Sequence, residues 1–323
     1  MLSRPDFLYK NVIILMTKNK EHLSFRNDNV IIRNAENEII LQNSCYRIFT
    51  IWIVGPFTIT SGLVHRAKKF GFSILFFTFG FRYVGAINAK TEGNVLLRKK
   101  QYSYTKLEIG KYLVSQKINN QLYLLKSIRK KSTNLSQSIN GINRILRTEI
   151  HNTTNTEQLM GFEGIVSKVY FSEWFRDMGW HSRKPRTKQD YINVLLDIGY
   201  TMLFNYMDSM LNLYGFDTYC GLYHRFYYQR KSLVCDLVEP FRCIIDKQIK
   251  KSHNLGQIKI DDFGQVKRKY ILSYKKSKPY TKILMQSLLD RKEDIFVFVN
   301  HFYRAFINNK PIDDYPKFHI IKT

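Results

Sequence analysis

The stretch LEIGKYLVSQKINNQLYLLKSI, residues 107–128, decides the fold class. Leu107, Leu113, Val114, Ile118, Leu122, Leu125 and Ile128 follow three- and four-residue spacing, the period of an amphipathic helix. Its polar side carries Lys106, Lys111, Lys117, Lys126, Arg129, Lys130 and Lys131, which predicts a solvated basic face. Upstream the pattern differs. Residues 12–15, 23–25, 30–32 and 39–41 are short apolar runs separated by Asn and Asp clusters, the chemistry of hairpins. A β-branched run over residues 48–54 ends at Gly55-Pro56, and Ser61 is placed to cap a short helix with Leu63, Val64 and Ala67 inward and Gly71 as its stop. Strands over residues 73–77 and 83–87 follow. The period changes near Gly93, residues 132–140 read as a Ser/Asn-rich loop, and helical signals dominate from Gly141, apart from a strand-like insertion at 256–264. The expected class is α+β: a β-strand domain over residues 1–90 and a larger all-α domain over residues 91–323.

The chain is long enough, at 323 residues, for two domains with cores of their own. Its charge is 51 − 26 = +25, which points to a polyanionic partner such as nucleic acid or an acidic membrane surface. Residues 1–90 carry 12 − 5 = +7 of this and the remainder 39 − 21 = +18. Cys45, Cys220, Cys235 and Cys243 form no C-x-x-C pair, which argues against a disulfide scaffold or zinc ribbon. No apolar run approaches the roughly 20 residues of a membrane-spanning helix, and the N-terminus has no signal-peptide pattern. A cytoplasmic, nucleic-acid-facing protein is the expectation.

Three segments carry chemistry. A helix over about residues 157–175 sets Leu159, Met160, Val166 and Tyr170 in one stripe, with Glu163 in its middle. A carboxylate there is costly unless it sits in a buried salt bridge or holds a cation. Asp236 and Glu239 share a helical face opposite Leu233, Leu237 and Ile244, and Pro240 breaks or starts a helix beside them. On one unbroken helix His224 and Glu239 would be about 22 Å apart, so the polar run Gln229-Arg230-Lys231-Ser232 has to turn the chain back if they are to meet. Taken singly, such an acid pair is usually a solvated face, and such a histidine a core or surface residue.

Together, Gly161-Phe-Glu163-Gly164 with Tyr170-Phe171, Gly215-Phe-Asp217 with Gly221 and His224, and Asp236-Leu-Val-Glu239-Pro240-Phe-Arg242 resemble the CRISPR-associated adaptation integrases. These are metal-dependent enzymes that insert spacers into a CRISPR array. The resemblance covers nearly the whole chain. The segment from Ile53 and Gly55 to Ser61 looks like the family's N-terminal β-sandwich, and Arg98, Gln101, Lys117, Ile118, Asn120 and Gln121 like the opening helix of its α-helical domain. Arg183-Lys184-Pro185-Arg186, with Asp190 and Asn193, looks like its basic loop.

The resemblance implies that Glu163, His224 and Glu239 form a metal-binding triad for Mg²⁺ or Mn²⁺, with Asp236 as an accessory acid. It implies that Arg183, Lys184, Arg186 and Arg242 face double-stranded DNA, the prespacer and the CRISPR array. It further implies a homodimer, its strand domain serving as scaffold, and a small ferredoxin-like adaptation partner. The reaction would be attack of a DNA 3′-hydroxyl on a phosphodiester, which needs charge neutralised and reactants aligned. Without a cation between them the converging acids should repel, raising at least one pKa. A non-catalytic DNA-architectural protein and a mobile-element integrase are the alternatives.

Overall fold

A computed structural model describes residues 3–89, 94–130, 132–180, 182–224 and 228–321. The period change at Gly93 and the charge of Lys131 fall outside the described residues. The chain forms two compact units, Met1–Arg98 with Asn205–Phe216, and Lys99–Phe204 with Asp217–Thr323.

The first unit begins with a short helix α1 (Arg4–Leu8) and seven strands: β1 (Asn11–Met16), β2 (His22–Arg26), β3 (Asn29–Arg33), β4 (Ile39–Ser44), β5 (Ile48–Val54), β6 (Ser73–Phe77) and β7 (Tyr83–Ile87). The hairpin expectation holds only for β2-β3-β4, an antiparallel sheet. The other sheet, ordered β1-β5-β6-β7, is parallel across its first three strands, with Ile13 opposite Ile51 and Ile51 opposite Ile74. The reason is visible in β5, whose seven residues are all buried. A continuous apolar run suits a central parallel strand covered on both faces, and helix α2 (Ser61–Phe70) supplies the crossover from β5 to β6. Its cap is Thr60, which accepts from the Leu63 N–H, one residue before the expected Ser61. Val30 and Ile32 of β3 share one buried cluster with Ile13, Ile51, Ile53, Leu63 and Ala67, so the two sheets and α2 enclose a common core. On the other face of β5, Phe49 meets Tyr206 edge-on, with ring centroids 5.3 Å apart.

Helices α3 (Val95–Ser103), α4 (Glu108–Lys126), α5 (Thr133–Arg144), α6 (Ile150–Asn152), α7 (Thr156–Trp174), α8 (Tyr191–Tyr214), α9 (Ser232–Val238), α10 (Arg242–Asn254), α11 (Tyr274–Leu289) and α12 (Lys292–Ile307) follow. A hairpin of β8 (Phe263–Val266) and β9 (Lys269–Leu272) interrupts them, several residues later than the expected insertion. Residues 133–140 are helical, not a loop. Ser132 caps α5 by accepting from the Leu135 N–H, and Leu135, Ile139 and Ile142 turn inward at helical spacing. The larger correction concerns α4. It packs against α7, α5, α10 and the turn before α10, and is buried nearly all round. Lys117 is therefore interior, not on a solvated polar side, and Asn120 and Gln121 are buried with it. Asn120 Nδ2 donates to the carbonyls of Pro240 and Phe318, and its Oδ1 accepts from the Ile320 N–H. This one amide ties α4 to the helix break and to the C-terminal segment. Pro240 does break the helix, as expected: the turn Glu239–Phe241 separates α9 from α10.

Candidate active site

Helix α7 presents Glu163, α4 presents Lys117, and the Pro240 break presents Glu239. The Lys117 ammonium stands 2.5 Å from Glu163 Oε1 and 2.9 Å from Glu239 Oε2. The second contact meets the distance of an ion pair but not the angle of a hydrogen bond, and among the described residues Glu239 Oε2 takes no hydrogen bond. Each acid is also held from its far side. Tyr223 donates its hydroxyl to Glu163 Oε2 at 2.8 Å, and the Arg242 guanidinium lies 2.8 Å from Glu239 Oε1. The side chains of Lys117, Glu163 and Glu239 are 9%, 12% and 4% exposed, so these charges interact with little screening by water.

Asp236, fully buried, sits one turn before Glu239 and gathers four N–H groups. Leu222 and Tyr223 donate their backbone N–H to Oδ2 at 2.7 and 3.0 Å. His224 donates its backbone N–H to Oδ1 at 2.9 Å, with its ring Nδ1 2.8 Å from the same oxygen. The 221–224 loop is wrapped around this carboxylate, which also fixes the imidazole. Gly221 is required at its start: a Cβ there would lie 2.2 Å from the His224 carbonyl oxygen and 2.8 Å from Ser232 Cβ. Gly221→Ala should therefore cost about 1–3 kcal/mol through overpacking, measured by denaturant unfolding; an unchanged midpoint would show that the loop is not so confined.

Burial alone would raise the Glu239 pKa, but the positive charges of Arg242 and Lys117 outweigh it and hold the carboxyl down at about 2. For Glu239 the expected rise from repelling acids does not occur, because two cations stand beside it. Burial likewise opposes the charge on Lys117, yet Glu163 and Glu239 hold its pKa above the ordinary value. For Glu239 the folded value lies below the ordinary 4.5, so its stabilising contribution is complete above about 4.5 and is lost as pH falls through about 2. A melting-temperature profile from pH 5 to pH 2 should fall more steeply in the wild type than in Glu239→Gln; parallel profiles would contradict this.

The anticipated groups thus separate into two linked sets. Glu163 and Glu239 converge on Lys117, and Asp236 and His224 converge on each other. The charge of His224 contributes to lowering the Glu239 pKa, which puts the two sets in electrostatic reach. As the side chains stand, no group of three His, Cys, Asp or Glu residues surrounds a single ion position among the described residues. Arg183 is tied down, 2.6 Å from Asp197 Oδ1 and donating to Asn193 Oδ1 at 2.9 Å. Arg186 is exposed, with its backbone N–H donated to Asp197. Arg242 combines its Glu239 contact with a position 4.9 Å above the Tyr200 ring. Tyr200 in turn donates to Asp246 Oδ1 at 2.5 Å while Tyr170 donates to Oδ2 at 2.9 Å, and burial pushes that carboxyl up to about 6. Sequence reasoning missed Lys117, Tyr223 and Asp246. Lys117 is among the motif residues and Tyr223 lies between Gly221 and His224, but no periodicity marks either as a polar contact.

A two-unit α+β chain whose helical unit bridges Glu163 and Glu239 through Lys117, beside an Asp236–His224 pair, is the class that fold and site define. The family model described as CRISPR associated protein Cas1 matches residues 14–286, and the chain belongs to that family. A relative from Thermodesulfovibrio yellowstonii, CRISPR-associated endonuclease Cas1 1, is 32% identical over 219 residues, which cover 63% of this chain and 69% of that protein. Among solved structures, a chain of a Cas6-RT-Cas1–Cas2 complex is similar with a TM-score of 0.81 at 22% identity, over 97% of this chain and 36% of that longer one. A casposase bound to its integration product gives 0.77 at 17% identity, over 97% and 96%. These structural likenesses concern the fold.

Proposed function

We propose that this chain is a divalent-metal-dependent DNA endonuclease and integrase of CRISPR adaptation, joining prespacer DNA to the array by 3′-hydroxyl attack on a phosphodiester. The observation that carries this reading is the approach of two carboxylates, the partly buried Glu163 of α7 and the buried Glu239 of the Pro240 break, to one positive charge. Such a pair of hard oxygen donors, one with an oxygen that takes no hydrogen bond, fits Mg²⁺ or Mn²⁺. Glu163 and Glu239 would hold the ion, with His224 as the third group. A bound divalent ion would neutralise phosphate charge and favour deprotonation of the attacking hydroxyl.

The remaining residues have work of their own. Asp236 holds His224 through Nδ1 and so fixes which face of the imidazole is free. Nε2 then offers one lone pair, to a metal or to the proton of the attacking hydroxyl. Tyr223 and Arg242 keep the two acids aimed when substrate enters. The +25 charge supplies phosphate contacts along a duplex, with Lys184 and Arg186 among them. The curated relative's name includes endonuclease, and the two solved folds belong to a Cas6-RT-Cas1–Cas2 complex and to a casposase bound to its integration product. Those names support DNA and a partner protein; we further propose that the DNA is double-stranded, that the partner is small and ferredoxin-like, and that the chain forms a homodimer built on the strand unit. The casposase likeness also favours a second reading, a mobile-element integrase, which would act on element ends instead of on an array. No helix among the described residues is long and apolar enough to cross a membrane.

The test is a strand-joining and cleavage assay on branched DNA and on short duplexes with a free 3′-hydroxyl. Activity should require Mn²⁺ or Mg²⁺, stop on chelation, and vanish in Glu163→Ala and Glu239→Ala. DNA binding should survive both substitutions and weaken steeply with salt, because affinity is spread over many phosphate contacts. Full activity in both variants would overturn the assignment.

A further inference from the structure

The sequence pattern sets Lys117 on a solvated face, yet its ammonium lies between the two acids on which the proposed metal site depends. We propose that Lys117 is an internal cation that competes with the divalent ion: it holds Glu163 and Glu239 together in the metal-free protein and has to leave them when the ion binds. This rests on the metal reading given above.

Occupancy makes the first case. Glu163 Oε1 and Glu239 Oε2 both point at Lys117 Nζ, at 2.5 and 2.9 Å. The outer oxygens are engaged elsewhere, Glu163 Oε2 by Tyr223 and Glu239 Oε1 by Arg242. An ion shared by the two acids would be held by the same two oxygens that now face the ammonium. Charge makes the second. Two carboxylates, one ammonium and one guanidinium already sum to zero, in a site where Lys117 and Glu239 are almost fully buried. A doubly positive ion added to that set would leave an uncompensated charge in low dielectric and would repel the ammonium at contact distance.

Of the two cations, Lys117 is the one able to go. It lies between the acids on a flexible four-carbon stem, whereas Arg242 approaches Glu239 from outside the pair and is braced on Tyr200. Tyr223 and Arg242 therefore keep the acids oriented after the exchange. Metal affinity becomes the difference between two cations for one seat.

Lys117→Met keeps the length of the stem and removes the charge. In titration calorimetry with MnCl₂ its Mn²⁺ dissociation constant should fall by about tenfold or more, and Mn²⁺ should raise its melting temperature further than it raises that of the wild type. An equal or weaker affinity in a variant with wild-type circular dichroism would overturn the proposal. A measurement on the wild type stands beside it in case the variant does not fold. Acylation of Lys117 by an amine-reactive ester, read by mass spectrometry, should be slow without metal and accelerate at saturating Mn²⁺; protection unchanged by Mn²⁺ would overturn the proposal. The double variant Glu163→Gln/Glu239→Gln separates the two levels. If it binds Mn²⁺ as tightly as the wild type, the metal reading itself fails. If it loses Mn²⁺ while Lys117→Met gains nothing, only the competition fails.

Discussion

Asp236→Ala should cost about 3 kcal/mol or more in folding free energy, and activity with it. Its carboxylate receives the backbone N–H groups of Leu222, Tyr223 and His224 as well as the His224 ring. Alanine would leave the three backbone donors and the ring without their acceptor, and each orphaned buried group costs about 1–3 kcal/mol. That is a large share of the roughly 5–15 kcal/mol that holds a typical domain. Asp236→Asn should recover little, since a carboxamide offers one acceptor oxygen and turns its NH₂ toward groups that are themselves donors. Denaturant unfolding checks both. A loss below about 1 kcal/mol would mean that the 221–224 loop does not depend on this carboxylate.

Glu239→Ala should be destabilising and inactive for separable reasons. Removing one partner from a buried ion pair typically costs about 3–5 kcal/mol, because the other charge is left uncompensated. Here Lys117 keeps Glu163 and the Arg242 side chain is 32% exposed, so the loss leaves one excess positive charge beside the remaining carboxylate. Adding Lys117→Met to Glu239→Ala should therefore restore part of the lost stability, giving a double-mutant coupling of at least about 1 kcal/mol. Activity should not return, because an acid of the proposed metal site is still missing. Additive effects on stability would deny the pairing, and recovered strand joining would deny the role of Glu239.

The residues that sequence reading located correctly are those set by local rules. The strand runs at 48–54, 73–77 and 83–87 hold to the residue, as does the Pro240 break, because β-branched runs and proline act over a few neighbours. Glu163 was legible as a carboxylate on an apolar stripe, and that stripe is mostly buried, with Met160 the exception. Parallel pairing of β1 with β5 was not legible, since it is decided by what covers both faces of β5. Lys117 was misplaced for a related reason. Periodicity sorts side chains into an apolar and a polar face, but α4 is surrounded, and a buried lysine is tolerated there only because two distant acids arrive to meet it. Those partners lie 46 and 122 residues downstream, beyond any window that periodicity can span. His224 and Asp236 were legible as members of one motif set, while the loop of N–H groups that joins them was not.

Diffraction from crystals of the full chain grown with Mn²⁺, recorded for the anomalous signal of manganese, tests the central claim most directly. The expected result is a peak bounded by the carboxylates of Glu163 and Glu239 and by Nε2 of His224, with the Asp236–His224 pair intact. A manganese peak elsewhere, with Glu163 and Glu239 still closed on Lys117, would contradict it.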